Sequence, residues 1–375
     1  MKIAILANIA SVHTQRWVAA LSERGHFIHL ITLPKQAREQ IEFKLGCSIL
    51  AERERLRIHV LPFRAPAGYY LNLPWARWIL VKNKPDLLHA HYASGYGTLG
   101  RLCKYHPYVL SVWGSDVFAF SDASSFNRRL LINNISVADW ICSTSHFMAN
   151  RTFNLCPQLK GLTVTPFGVD TDKFKPYTKV PFRDQVSIGT VKTLSEPYGI
   201  DILIRAFSRV CQRLRVGTPY NPQLKLNLLI IGTGPQYGAL KKLANELCME
   251  GIVKFTGLVK HESMPEYMNQ LDVYCAFSRV RESFGVAVLE ASSCGIPVVV
   301  SNMGGLNEVV QNGVTGFVVA SENVEEAADA MTKLVLDPIL RREMGVASRQ
   351  YVISHYSWRK SIDIMEDVYS RVQKK

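Results

Sequence analysis

The sequence predicts an α/β protein made of two doubly wound, parallel-sheet domains. Three observations predict it. The chain has 375 residues, 47% of them hydrophobic and 20% charged, and at roughly 100–200 residues per domain that is enough for two buried cores. Short apolar runs alternate with helical patterns, the rhythm of strand–helix–strand units in a parallel sheet. The rhythm stops in a polar, basic, proline-containing seam at Gly168–Val180 and then restarts. The expected domains are therefore 1–172 and 173–356, with a C-terminal helix over 357–375 returning to complete the first.

Lys2–Asn8 (KIAILAN) is near-continuously apolar, as a strand buried on both sheet faces requires. In Thr14–Arg24, Trp17, Val18 and Leu21 share a helical face and Gly25 stops it. Further strands are expected at Phe27–Thr32, Asp86–Ala90, Tyr108–Val112, Trp140–Cys142 and Leu162–Pro166. After the seam come strands at Val186–Val191, Leu226–Ile231, Val253–Phe255, Val273–Ala276 and Val298–Ser301. Helices are expected at Gly199–Leu214 and Tyr237–Met249. Ligands of open α/β sheets bind at the carboxyl ends of the strands, so two such domains facing each other would hold a substrate in a cleft.

Composition narrows the function classes. Near-average Gly (24) and Pro (17) and no low-complexity tract exclude disordered and fibrous proteins. No apolar run reaches the roughly 18–20 residues of a membrane span, and Met1–Ala10 reads as a first strand rather than a secretory signal, so a cytoplasmic protein is expected. The eight cysteines lack any CxxC pair, which favours buried thiols over disulfides or zinc. Residues 1–176 carry 21 Lys+Arg against 11 Asp+Glu, an excess that suggests an anionic partner. Between Lys35 and Lys84 the basic residues mix with Phe43, Leu45, Leu56, Phe63, Tyr69, Tyr70, Leu71, Trp75 and Trp78. That mixture suits an anionic membrane surface; the alternative is that the aromatics are core and the charges solvated. No nucleic-acid module is present, and no nucleic-acid partner is expected.

The densest chemical signal is Ser278–Val300, SRVRESFGVAVLEASSCGIPVVV. It reads as a loop after a strand, with Ser283, Phe284 and Gly285 opening a helix that Gly295 and Pro297 stop. A helix start leaves backbone N–H groups free at its positive dipole end, which suits a diphosphate. Gly285 permits close backbone approach. Glu282 and Glu290 offer carboxylates to ribose hydroxyls, unless they only favour the helix start. The turn Gly232-Thr233-Gly234-Pro235 follows a strand but lacks the GxGxxG of a dinucleotide fold, because position 237 is Tyr. The string Asp170-Thr171-Asp172 resembles a metal-binding pair, yet in the seam turn and cap duties are expected, and no metal. His13 is expected in a loop, facing a ligand or neighbouring a helix cap. His89 and His91 are expected to face opposite sides of their strand, with His91 the one that reaches the ligand.

ESFGVAVLEASSCGIPVVVSNMGGLNEVV resembles the donor-site segment of glycosyltransferase family 4, whose E-x7-E pattern falls on Glu282 and Glu290. Further matching stretches are RWVAALSERGHFIHLIT (16–32), PDLLHAHYASGYG (85–97), VLSVWGSDVF (109–118), PFGVDTDKF (166–174), GIDILIRAF (199–207), IIGTGP (230–235) and VKFTGLV (253–259). The resemblance covers nearly the whole chain. It implies the GT-B fold, two facing Rossmann-like domains with a cleft between them. It also implies a retaining, metal-independent hexosyltransferase-type enzyme that needs no cofactor. A sugar would pass from a nucleotide sugar, UDP favoured over GDP, to an acceptor hydroxyl. The acceptor would be a sugar or lipid-linked sugar in bacterial surface polysaccharide or glycolipid assembly, at the inner face of the membrane. The alternatives are a nucleotide-sugar hydrolase or epimerase, or a non-catalytic nucleotide-binding relative.

By the same resemblance Lys192, Glu282 and Asp116 are the catalytic candidates. Lys192 matches the first of two basic positions that act on the donor phosphates, while Pro197 and Tyr198 fill the second. Donor contacts fall on Gly232, Phe255, Thr256, Ser283, Phe284, Gly285, Val286 and Glu290. Phe255 and Thr256 would hold the base through backbone groups, or simply pack. Acceptor contacts fall on His13, His91 and Trp113, the last standing where relatives often carry a histidine. Asp116 is the polar group of that loop expected to orient the acceptor hydroxyl.

Overall fold

The structure is a computed structural model and describes residues 1–34, 55–177, 185–216 and 224–374. The chain forms two compact units, Met1–Phe167 with Ser361–Lys375, and Gly168–Lys360. In the first, β1 (Lys2–Leu6), β2 (Phe27–Thr32), β3 (Leu56–Val60), β4 (Leu87–His91), β5 (Tyr108–Val112), β6 (Trp140–Ser143) and β7 (Leu162–Val164) make one sheet. Its order is β3-β2-β1-β4-β5-β6-β7, and every pairing is parallel. β4 (LLHAH) and β5 (YVLSV) are buried along their whole length, as central strands of a parallel sheet are once helices cover both faces; the polar members His89 and Ser111 satisfy each other there.

The second unit repeats the plan with β8 (Gln185–Val191), β9 (Lys225–Ile231), β10 (Val253–Gly257), β11 (Val273–Ala276), β12 (Val298–Ser301) and β13 (Gly316–Val319), in the order β10-β9-β8-β11-β12-β13. The helix Ile200–Val216 shows how its core closes. Ile200, Leu203, Ile204, Phe207, Val210 and Leu214 recur at helical spacing and are all buried, joining Ile188, Leu228, Ile230 and Val273 from the sheet.

β3 and β13 are additions to the elements expected from sequence. Both are short and lie at or near a sheet edge, and β3 (LRIHV) is only half buried, so its apolar alternation is faint. Of the described cysteines all are free, Cys248 is exposed, Cys211 is partly exposed and the rest are buried; Cys47 lies outside the described residues. Asp170 performs turn duty, its Oδ1 accepting from the N–H groups of Asp172 (3.1 Å) and Lys173 (3.0 Å).

In both sheets the winding reverses beside the first strand, at β1/β4 and at β8/β11. At such a switch point the loops leave in opposite directions and open a crevice at the carboxyl ends of the strands. The chain segments that follow β1 and β4, and β8 and β11, are therefore where ligand chemistry belongs.

Candidate functional site

In the second unit, Lys192 is the residue immediately after β8, and Glu282 lies in the loop after β11. The switch point brings them together: Lys192 Nζ donates to Glu282 Oε1 in an ion pair whose side chains are 13% and 12% exposed. Ser278 Oγ donates to the same carboxylate oxygen. The Lys192 ammonium also lies 4.8 Å from the ring centroid of Tyr198, a favourable cation–π arrangement. Tyr198 thus contacts the cation from the position where the resemblance expected a second basic residue.

Arg279 fastens this arrangement. Its guanidinium takes both Asp201 carboxylate oxygens (2.8 and 2.7 Å), Glu322 Oε1 (2.9 Å) and the Glu196 carbonyl (2.9 Å). Its own N–H donates to the Pro197 carbonyl (2.8 Å). The loop after β11 is thereby tied to the turn that carries Tyr198. Gly232 supplies close approach on the other side: its φ is +139°, and a Cβ there would overlap the Lys192 carbonyl oxygen. This glycine lets the β9 turn pack against the backbone that carries Lys192.

The helix expected after Ser283 begins at Val286 and runs to Ser293, behind Gly285 with φ of +106°. No side chain caps it; the Val288 N–H already donates to the Gly285 carbonyl (3.1 Å), and the amides ahead of it, Val286 and Ala287, are the donors for a ligand. Phe284 is buried against Tyr356, with centroids 5.6 Å apart. Its side chain is core, and only its backbone, like that of Ser283, can serve the helix start. Glu290 is 6% exposed and its Oε1 accepts from His261 Nε2 at 3.1 Å. Lys173 Nζ lies 3.4 Å from His261 Nδ1, so the ring accepts from the ammonium and donates to the carboxylate. His261 and Lys173 were not among the candidates. An isolated histidine in a polar loop has no spacing relation to Glu290; its one signal is that the loop after β10 emerges at the carboxyl edge of the sheet.

Phe255 packs on the core and meets Tyr237 edge-on at 5.5 Å. The β10–β9 register slips between Phe255 and Gly257. This bulge leaves Thr256 out of the ladder, with backbone groups unpaired to β9, on the strand at the sheet edge.

The first unit gathers rings. His13 lies in the first turn of the helix Val12–Glu23 rather than in the preceding loop. It stacks on Phe167 with centroids 3.9 Å apart and planes 4° from parallel, and its edge meets Trp113 at 5.8 Å. Trp113 lies 4.8 Å from His91, whose Nδ1 is 3.4 Å from Thr14 Oγ1. The expectation that His89 and His91 face opposite sides is corrected. Residues two apart on a strand share a face, and the two rings are 4.6 Å apart. His89 is fully buried between Tyr369 Oη (2.7 Å) and Ser111 Oγ (2.8 Å). Burial lowers its pKa to about 3 and that of His91 well below the ordinary value, so both rings are neutral.

Asp116, expected to orient an acceptor hydroxyl, is 0% exposed. Its Oδ2 accepts from Ala93 N–H (2.8 Å), and its Oδ1 accepts from the N–H groups of Gly114 (2.8 Å), Val117 (3.1 Å) and Trp113 (3.2 Å). The carboxylate is spent on four backbone amides. Its observed work is to hold the loop after β5, and with it Trp113, against the loop after β4.

Two family models match the chain: glycosyl transferases group 1 over residues 176–351 and glycosyl transferase 4-like over residues 2–145. The chain is a GT-B glycosyltransferase related to both groups. Among curated proteins, the N-acetyl-alpha-D-glucosaminyl L-malate synthase of Bacillus anthracis is 27% identical over 93% of this chain and 90% of its own length. The GDP-mannose-dependent alpha-(1-6)-phosphatidylinositol monomannoside mannosyltransferase of Mycobacterium tuberculosis is 31% identical over 59% of this chain and 58% of its own. Among solved structures, HepE of Anabaena in complex with UDP and glucose superposes with a TM-score of 0.77 at 18% identity, covering 99% of this chain and 100% of that one. At that identity the likeness concerns the fold. Among the described residues of this GT-B glycosyltransferase, no three His, Cys, Asp or Glu side chains group as a metal site would require, and no helix is long and apolar enough to cross a membrane.

Proposed function

We propose that this glycosyltransferase moves a sugar, with retention of anomeric configuration and without a metal, from a nucleotide sugar to an acceptor hydroxyl. UDP-sugars are favoured over GDP-sugars, and the acceptor is a lipid-linked sugar or glycolipid of bacterial surface assembly, met at an anionic membrane surface on the cytoplasmic side. The observation that carries the reading is the set at the β8/β11 switch point. There the Lys192–Glu282 pair stands at the loop that runs into the free amides of the helix Val286–Ser293.

In this reading the donor diphosphate lies against those amides and draws Lys192 from Glu282. The C–O bond to the diphosphate breaks as the acceptor oxygen bonds to the anomeric carbon, and the acceptor proton leaves with the diphosphate. Lys192 stabilises the negative charge that grows on the leaving group. Glu282, released from Lys192, accepts from sugar hydroxyls, Glu290 accepts from the ribose, and the Thr256 bulge offers backbone groups to the base. On the first unit, His13 and Trp113, both partly exposed, offer the acceptor-side surface; His91, expected to reach the ligand, is buried at 2% exposure and packs behind Trp113, whose loop Asp116 holds in place. Membrane-linked acceptors accord with the phosphatidylinositol glycosides named for the mycobacterial relative.

Glu290 gives the test. Glu290→Ala should weaken UDP binding by about 1.5–3 kcal/mol, roughly ten- to a hundredfold, the range for hydrogen bonds to a charged group. Unchanged UDP affinity in a folded Glu290→Ala protein, measured by calorimetry, would remove the ribose role.

A further inference from the structure

We propose that the outer face of the helix Leu73–Asn83, with the chain leading into it, seats the first unit on an anionic lipid bilayer; this rests on the reading of the acceptor as lipid-linked. The helix (LPWARWILVKN) buries Ala76, Ile79 and Leu80 in the first core. A helix with one buried face normally turns a polar face to water. Here Leu71, Trp75, Trp78 and Val81 line the opposite side at helical spacing and are 52, 45, 59 and 71% exposed. Phe63, 40% exposed, extends the patch by packing edge-on against Trp75 at 5.4 Å.

The charges around the patch have one sign. Residues 61–85 contain Arg64, Arg77, Lys82 and Lys84 and not one Asp or Glu. The Lys82 ammonium stands 4.7 Å from the Trp78 ring centroid, so cation and indole are presented together. Tryptophans favour the headgroup level of a bilayer, and basic side chains there are attracted to anionic lipid. A second copy of the same face would set like charges against each other. The other apolar helix stripe, Ile339, Val346 and Ile353, carries Arg342 beside Glu343 and has no such sign. The sequence left the aromatics of this stretch open between core and surface. Trp75, Trp78, Tyr70, Leu71 and Phe63 are exposed, whereas Leu56 and Tyr69 are partly buried, and Phe43 and Leu45 lie outside the described residues.

The test measures partitioning of the full chain onto phosphatidylcholine vesicles with and without phosphatidylglycerol, at low and high salt. Quenching by brominated lipid is read in parallel. Binding to the anionic vesicles alone, weakened by salt and with Trp fluorescence quenched, is expected. Trp75→Ser/Trp78→Ser should lower partitioning about tenfold or more and abolish most of the quenching. Arg64→Glu/Lys82→Glu should lower it about a hundredfold. A cooperative denaturant transition read by the fluorescence of the remaining first-unit tryptophans reports that each variant is folded, and UDP affinity reports that the other unit is intact. Equal partitioning of wild type and both variants overturns the docking face, as does a protein that transfers sugar to a water-soluble acceptor yet ignores anionic vesicles. A protein that binds the vesicles through this face but binds neither UDP nor GDP sinks the transferase reading and leaves the docking face standing.

Discussion

At the carboxyl end of its sheet the first unit gathers His13, His91, Trp113 and Phe167, rings in mutual contact, whereas the second gathers carboxylates with their donors, Glu282 with the Lys192 ammonium and Glu290 with the His261 ring. The strand order up to the sixth strand is the same in both, so the difference comes from the loops. It extends to the histidines: eight of the ten lie in the first unit, and His26, His29, His89 and His91 are buried there. His261 and His355 of the second unit are exposed. A crevice of paired charges can exchange an internal partner for an anionic ligand at little desolvation cost, because each charge is already partly removed from water. A crevice of packed rings recognises shape and presents few charges of its own.

The largest expected effect breaks the first unit alone. Asp116→Ala strips four backbone N–H groups of their acceptor, and at about 1–3 kcal/mol for each buried unsatisfied donor the loss should reach roughly 4 kcal/mol or more. Five of the six tryptophans (17, 75, 78, 113 and 140) belong to this unit, so denaturant titration followed by Trp fluorescence reads it directly. An Asp116→Ala protein of wild-type stability would mean that the amides find other partners.

Next in size is Lys192. Lys192→Met removes the cation but strands Glu282, so it is best made together with Glu282→Gln. Turnover should fall about 10²–10³-fold, the scale of losing one transition-state electrostatic contact, while UDP affinity changes far less. If UDP affinity and turnover fall together, Lys192 serves binding rather than departure of the diphosphate.

Acid sharpens the contrast. Burial, with His59 close by, lowers the pKa of His29 to about 4, and burial lowers that of His89 to about 3. In the unfolded chain both titrate near 6.5. The unfolded state therefore takes up protons first. The stability that these rings contribute is complete above about pH 6.5 and is lost as pH falls toward the folded values, by on the order of 3 kcal/mol for each ring near pH 4. His29→Gln should flatten the acid branch of the Trp-detected curve. An unchanged slope would place the acid sensitivity elsewhere. The smallest effect is the one on metal: EDTA should leave turnover unaltered, and loss restored by manganese or magnesium would contradict the proposal.

What the sequence made legible follows from how local each signal was. β5, β11 and β12 appear with the expected bounds because a continuous apolar run needs no partner to be recognised. β3 does not, because LRIHV borrows its partners from β2. The placing of His89 and His91 went wrong through the strand period itself, which sets residues two apart on one face. The work of Asp116 could not be read from VWGSDVF, since one of its four donors, Ala93, belongs to another loop. The same holds for His261: it meets Glu290 only once the loop after β10 is folded beside the helix Val286–Ser293.

The claim that joins these observations is that the second unit holds a nucleoside diphosphate at its switch point on the amides that open the helix Val286–Ser293, with Lys192 acting on its departure. Calorimetric titration of the wild-type chain with UDP, GDP, UMP and NAD, in the presence of EDTA, tests it most directly. The account predicts that UDP or GDP binds, that UMP binds more weakly for want of the second phosphate, that NAD does not bind, and that the Lys192→Met/Glu282→Gln protein still takes up UDP. Tighter binding of NAD than of either diphosphate, or UMP binding as tightly as UDP, would contradict it.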